Sequence, residues 1–177
     1  MRRSVNRPLT MFEINIGRLA EGEHQYRFEG SGLDLDLGAS FHRPVAVDVV
    51  LDRSGRQFLL RAQYRTRGVF ACDRCTESFE KDIAGSYKIL YVPDGGPAPL
   101  DGERGEVQEI PSDALVISLD EDLRQFLLLN VPGKLLCRDD CRGLCPTCGT
   151  NWNTGSCDCA VPETDSRWDA LRDLRRH

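Results

Sequence analysis

Residues 45–67, VAVDVVLDRSGRQFLLRAQYRTR, decide how the first half of the chain folds. Val45, Val47, Val49 and Leu51 recur with a period of two. Asp52-Arg53-Ser54-Gly55 then supplies turn chemistry, and Phe58, Leu60, Ala62 and Tyr64 take up the alternation again. A period of two sends all these side chains to one face of a strand, so two such runs joined by a turn predict an antiparallel hairpin. Outward from it the same pattern returns. Phe12, Ile14 and Ile16 alternate, Tyr26 and Phe28 repeat it, and SYKILYV (86–92) reads as a further strand. The other face of the second hairpin strand carries Arg61, Arg65 and Arg67, with Arg56 at the turn. A solvated sheet face accounts for these arginines most simply, and an RNA-facing surface is the sharper alternative.

The second half is different. Residues 93–113, PDGGPAPLDGERGEVQEIPSD, hold four prolines, four glycines and six acids, a composition that buries too little apolar surface to fold alone; a mobile acidic loop is expected. A short strand over Leu115–Leu119 follows, then an amphipathic helix over Asp120–Asn130 with Leu123, Phe126, Leu127 and Asn130 on one face. Ser118 with Glu121 fits a capping box, and Asp120 is a competing cap. Pro132-Gly133 stops the helix. A terminal helix is expected from Pro162 to Arg176, with Trp168, Leu171 and Leu174 at helical spacing. The fold class is therefore α+β. A β-rich region (1–92), the acidic loop (93–113) and a strand–helix, cysteine-rich segment (114–177) form one integrated domain.

Composition bounds the function. The chain has 177 residues with a formal charge of −5 and is 40% hydrophobic, enough for a sizeable core without disulfide staples. No run approaches the roughly 18 apolar residues of a membrane span. The N-terminal residues MRRSVNRPLTMFEIN lack an apolar signal region, so a cytoplasmic protein is expected. The acidity is uneven: residues 1–75 carry 12 basic and 9 acidic groups, residues 76–136 carry 5 and 12, and residues 137–177 carry 6 and 7. An acidic middle argues against coating by nucleic acid but leaves room for a local basic face.

Six of the eight cysteines fall between Cys137 and Cys159 in the pattern C-x3-C-x3-C-x2-C-x8-C-x-C, and Cys72-Asp73-Arg74-Cys75 lies far upstream. Zinc takes four thiolates in a tetrahedron, and a C-x2-C pair on a tight turn offers two. Cys145-Pro146-Thr147-Cys148-Gly149 has that form, the proline stiffening the turn and the glycine permitting a left-handed exit. Cys157 and Cys159 are the nearest residues to complete the site, although an eight-residue gap is short for a zinc ribbon. A second zinc held by Cys72, Cys75, Cys137 and Cys141 would use all eight thiols. One zinc with the remaining thiols free is the alternative. A thioredoxin-like dithiol at Cys72 and Cys75 is a further one, but that chemistry wants a helix N-terminus in a βαβ frame, whereas Gly68-Val69-Phe70-Ala71 reads as strand. No P-loop, dinucleotide fingerprint, G-x-S-x-G or H-E-x-x-H occurs, so there is no positive case for an enzyme.

The order of these features resembles the YceD family, the large ribosomal RNA subunit accumulation proteins. The resemblance rests on Cys72-Asp73-Arg74-Cys75, the acidic insert, LDEDLR (119–124) through Val131-Pro132, CRDDCRGLCPTCGTNWN (137–153), Cys157 and Cys159, and Asp165-Ser166-Arg167 with Leu171 and Leu174. It is most specific over 137–153 and diffuse over the first 60 residues; Ser166 stands where the family would have proline. The resemblance implies a non-catalytic role in accumulation or processing of large-subunit (23S) rRNA. Its partner would be that RNA or a ribosome-assembly protein. Contacts are expected from Arg56, Arg61, Arg65 and Arg67 and from Arg172, Arg175 and Arg176. An acidic module for a basic ribosomal protein is the rival reading, and a dithiol redox protein a weaker one.

Overall fold

The structure, a computed structural model, describes residues 12–95 and 106–159. Its strands are β1 (Glu13–Asn15), β2 (Gly22–Ser31), β3 (Pro44–Ser54), β4 (Gln57–Ala71), β5 (Ser78–Pro93), β6 (Glu106–Ile110) and β7 (Val116–Ser118), and the helix α1 spans Asp120–Leu129. Strands β2-β3-β4-β5-β6 form one sheet in that order, while β1 and β7 pair separately.

The hairpin expected from residues 45–67 is β3 and β4, paired antiparallel with Val47 opposite Tyr64, Val49 opposite Ala62 and Leu51 opposite Leu60. Ser54 pairs with Gln57, leaving Gly55-Arg56 as a two-residue turn. Gly55 has φ +60° and Arg56 is not left-handed, as a type II′ turn requires. This register puts Val45, Val47, Val49, Leu51, Leu60 and Ala62 on the inner face, all essentially inaccessible to solvent. Each fully buried aliphatic side chain of this size contributes about 1.5–3 kcal/mol, which is why the alternation fixes the register.

The core continues through Ile83, Ile89 and Tyr91 of β5 and closes against Phe12, Ile14 and Ile117 from the β1–β7 pair and Leu119, Leu123 and Leu127 around α1. Leu119, Leu123 and Leu127 recur every four residues, the spacing of one helix face. Phe126 stacks on Tyr87 with ring centroids 4.6 Å apart. The expected capping box does not form: Leu119 is the N-cap residue without a side-chain bond, and Ser118 donates instead to Asp120. Three acids in the first turn, Asp120, Glu121 and Asp122, compensate by facing the positive end of the helix dipole.

One expectation is corrected. Residues 106–110, inside the stretch read as loop, form β6, parallel to β5 with Leu90 opposite Val107 and Val92 opposite Glu109. Their composition alone would not order them, but a buried carboxylate does. Asp122 of α1 accepts hydrogen bonds from the Tyr91 hydroxyl (2.8 Å) and the Gln108 amide (2.7 Å), tying helix, β5 and β6 together. Burial and the neighbouring Asp122 carboxylate push the Tyr91 hydroxyl well above the ordinary range, so it stays a donor.

The chain divides into two compact units. The first comprises Met1–Phe70 and Ser78–Leu135, and the second comprises Ala71–Glu77 and Leu136–His177. All eight cysteines lie in the second. The expected terminal helix falls outside the described residues.

Candidate metal centres

Within the second unit the cysteines gather into two quartets, Cys72, Cys75, Cys137 and Cys141, and Cys145, Cys148, Cys157 and Cys159; the sulfurs of each quartet all lie within 4.8 Å of one another. In the first, Cys72 Sγ is 3.7 Å from Cys141 Sγ and Cys75 Sγ is 3.7 Å from Cys137 Sγ. A zinc–sulfur bond of about 2.3 Å places the corners of a tetrahedron about 3.8 Å apart, so the separations fit one four-coordinate ion. They are far from the roughly 2 Å of a disulfide. The residues present therefore suit zinc. The first quartet is the more enclosed, with Cys72, Cys75 and Cys141 buried, whereas Cys148 of the second is exposed.

The two C-x2-C turns are built alike. In each, the N–H four residues after the first cysteine donates to that cysteine's carbonyl: Thr76 to Cys72 (2.8 Å) and Gly149 to Cys145 (2.9 Å). In each, the first cysteine's own N–H donates five residues on: Cys72 to Glu77 (2.9 Å) and Cys145 to Thr150 (2.9 Å). The fourth position is left-handed in both, with φ +60° at Thr76 and +74° at Gly149. The folded turn aims N–H groups at the sulfurs. Backbone N–H groups of Cys148 and Thr147 pull the Cys145 thiol below its usual range. Hydrogen bonds from the side chain and backbone of Thr150 draw Cys148 down to about 6. Burial opposes ionisation of Cys72, but N–H groups of Cys137, Arg74 and Cys75 outweigh it and bring that thiol to about 6. Burial and the neighbouring sulfurs push Cys137 up to about 12, and Cys148 with burial does the same to Cys159. Each quartet thus joins sulfurs that ionise readily to sulfurs that hold a proton, and a dication would take the place of those protons.

Residues that the spacing argument passed over complete the unit. Arg74, between the upstream cysteines, donates to the carbonyl of Cys141 (2.8 Å) and, at 3.4 Å, to that of Asp139. The left-handed Gly143 lies so near that a Cβ there would come 3.1 Å from the Arg74 carbonyl oxygen. Trp152 Nε1 donates to Cys157 Sγ (3.4 Å), and Asn153 Nδ2 to Cys141 Sγ (3.3 Å). A tryptophan between two asparagines inside a cysteine cluster was the available signal, since polar hydrogens near thiolates are what such sites use. Cys72 and Cys75 sit between two strands rather than at a helix start, so the frame of a thioredoxin-like dithiol is missing.

On the outer sheet face Arg61 pairs with Glu23 (3.1 Å), and Arg67 pairs with Asp82 (2.6 Å) and Glu80 (3.5 Å). Arg27 pairs with Asp48 (2.7 Å). The hydrogen bond from Arg67 holds the Asp82 carboxyl below its usual range. Arg65 makes no ion pair among the described residues, and Arg56 donates only to the Ser112 carbonyl (3.3 Å). Arg172, Arg175 and Arg176 lie outside the described residues. No helix among the described residues is long and apolar enough to cross a membrane.

Comparison with known proteins adds a family. The model of "Large ribosomal RNA subunit accumulation protein YceD" matches residues 60–175. The chain is 24% identical over 193 residues, 94% of its own length and 60% of the relative's, to large ribosomal RNA subunit accumulation protein YCED homolog 1, chloroplastic, of Arabidopsis thaliana. It is 26% identical over 180 residues, 85% of its length, to the protein of the same name from Zea mays, of which 61% is covered. The chain thus spans about three fifths of the length of these curated relatives. The family is named for an accumulation factor rather than for a reaction. No solved structure matches.

Proposed function

This chain belongs to the YceD family, and on that premise we propose that it supports accumulation of large-subunit (23S) rRNA as a non-catalytic assembly factor whose second unit is held together by two zinc ions. The observation that carries the reading is that the matched region, 60–175, contains all eight cysteines, sorted by the fold into two complete tetrathiol sites. Bound zinc supplies folding energy, about 10–16 kcal/mol per structural site in small zinc peptides, to a unit whose described residues join neither hydrophobic cluster. Eight free thiols suit a reducing compartment, the cytoplasm in this reading.

Contact with rRNA would fall to Arg56 and Arg65, whose heads engage no carboxylate among the described residues, and to Arg172, Arg175 and Arg176. Arg61 and Arg67 can join them at small cost, because exposed ion pairs contribute only about 0–1 kcal/mol and a phosphate can replace the carboxylate. An electrophoretic shift with 23S rRNA fragments across a salt series tests this. Affinity should fall steeply with salt, and Arg56→Glu with Arg65→Glu should weaken all fragments alike. No salt-sensitive shift would reject direct RNA binding.

One observation favours a second reading, in which the partner is a basic assembly protein. The second unit carries seven basic and nine acidic side chains, net −2. Each zinc with four thiolates adds −2, so the loaded unit reaches −6. Such a field attracts a Lys/Arg-rich protein and repels phosphate. Salt-dependent co-elution with a basic large-subunit protein, with no RNA shift, would select this reading.

A further inference from the structure

Resting on the metal-site reading above, we propose that the two tetrathiol sites load zinc cooperatively, with Asn153 as the positioning residue that couples them. The residue belongs to one site by sequence and to the other by contact. It lies in the eight-residue loop between Cys148 and Cys157, which only the second site closes. Its side chain nevertheless serves the first site. Nδ2 donates to Cys141 Sγ (3.3 Å), while Oδ1 accepts from the Arg142 N–H (2.9 Å) and from Arg138 (2.7 Å). The two donors facing Oδ1 fix which way the amide points, so the N–H aimed at sulfur follows from the geometry.

The loop reaches the first-site segment elsewhere too. Trp152 N–H donates to the Gly143 carbonyl (2.9 Å), and Asn151 Nδ2 to Glu77 (3.4 Å). Asn151 Oδ1 in turn receives the Asn153 N–H (3.0 Å) and Nδ2 (2.9 Å), which holds the Asn153 side chain in place. Inside the loop, Trp152 Nε1 donates to Cys157 Sγ (3.4 Å), so the second quartet grips the same three residues from its own side. Segment 151–153 is therefore ordered by either site and used by both.

Coupling follows without any change of shape. Zinc at the second site ties Cys148 to Cys157 and bears the entropic cost of ordering the loop; zinc at the first site then finds the Asn153 donor already placed. Because coupling is reciprocal, filling the first site tightens the second by the same factor. The second site, made from a single short stretch, closes first; the first must bring Cys72 and Cys75 together with Cys137 and Cys141.

A three-way measurement on the full chain tests this, with zinc as the probe in competition with a chromophoric chelator. Cys145→Ser with Cys148→Ser leaves the first site and gives its affinity alone. Cys72→Ser with Cys75→Ser leaves the second. The wild type gives the product for both. The ratio of that product to the two single-site affinities is the coupling factor, expected at tenfold or more. In an Asn153→Asp background, which retains the acceptor but loses the donor to Cys141, the factor should fall at least threefold. Native mass spectrometry at half-saturating zinc gives a check with every cysteine in place: Asn153→Asp should raise the one-zinc fraction above that of the wild type. Two zinc ions bound with a coupling factor within twofold of one would overturn the cooperativity while leaving the metal sites standing. An unchanged factor in Asn153→Asp would remove Asn153 from it. No zinc uptake by the wild type would overturn the metal reading, and this inference with it.

Discussion

Thr76 and Gly149 occupy the same place in two turns of the same construction, yet only one of them is suited to it. At φ +60° Thr76 is a β-branched residue in the left-handed region, and its side chain is exposed, so the conformation is bought without packing in return. That region costs an L-residue about 1–2 kcal/mol, and β-branching puts threonine toward the upper end. Glycine removes the penalty but gives back about 0.5–1 kcal/mol in chain entropy, so Thr76→Gly should stabilise the turn by about 1 kcal/mol. At Gly149 the comparison runs backwards. A Cβ there meets no atom within 4 Å, so Gly149→Ala tests the backbone alone. The left-handed penalty, less the entropy gained by restricting the unfolded chain, leaves a destabilisation of about 0.5–1 kcal/mol. Where turn formation is part of metal binding, these become roughly three- to fivefold changes of opposite sign: Thr76→Gly tightens zinc and Gly149→Ala loosens it. Chelator competition at pH 7 on both variants and the wild type measures them. Thr76→Gly with unchanged or weaker affinity would refute the equivalence of the two turns.

Leu60, fully buried in the hairpin, should cost about 2–5 kcal/mol as Leu60→Ala, read as a lower urea midpoint with unchanged zinc content. Asp122→Ala leaves the buried Tyr91 hydroxyl without its acceptor and should cost roughly 2–3 kcal/mol, with faster hydrogen exchange in Glu106–Ile110 than in β3. Equal exchange in the two strands would show that Asp122 does not hold β6. Zinc retention should depend on acid in a defined direction. Cys72 and Cys148 are lowered to about 6, so their thiolates favour the folded sites above that pH and lose that contribution as pH falls through it. Protons compete with metal, and a zinc-reporting dye should show full retention at pH 7 and release below about pH 6. A release midpoint above pH 7 would contradict it.

The hairpin was legible because burial of one face leaves a period-two sequence a single register: Val47, Val49 and Leu51 have nowhere else to go. The helix was legible for the same reason, with Leu123 and Leu127 one turn apart. Strand β6 was not. Glu106–Ile110 carries no alternation of its own and owes its order to a carboxylate on α1 and to β5, both distant in sequence. The two cysteine quartets were readable as one partition of eight cysteines, since C-x2-C spacing states which sulfurs a turn can present together. Arg74 and Asn153 were not, because a donor aimed at a carbonyl or a sulfur obeys no spacing rule. The arginine face was legible only in outline. Alternation shows which residues face outward, but only the cross-strand register puts Glu23 beside Arg61 and Asp82 beside Arg67.

The tip of the β4–β5 connection, Ala71–Glu77, belongs to a unit whose next residue, Leu136, comes 59 positions later. On a ribosome adding about 5–20 residues per second, Cys72 and Cys75 wait roughly 3–12 s before Cys137 and Cys141 are made. During that interval the hairpin can zip by itself while two thiols at its tip have no partners. No single cut in the chain yields both units intact, and truncations from the C-terminus remove ligands from both quartets before they reach the strands. The birth order of the chain thus gives the enclosed metal site the longest wait between its first ligand and its last.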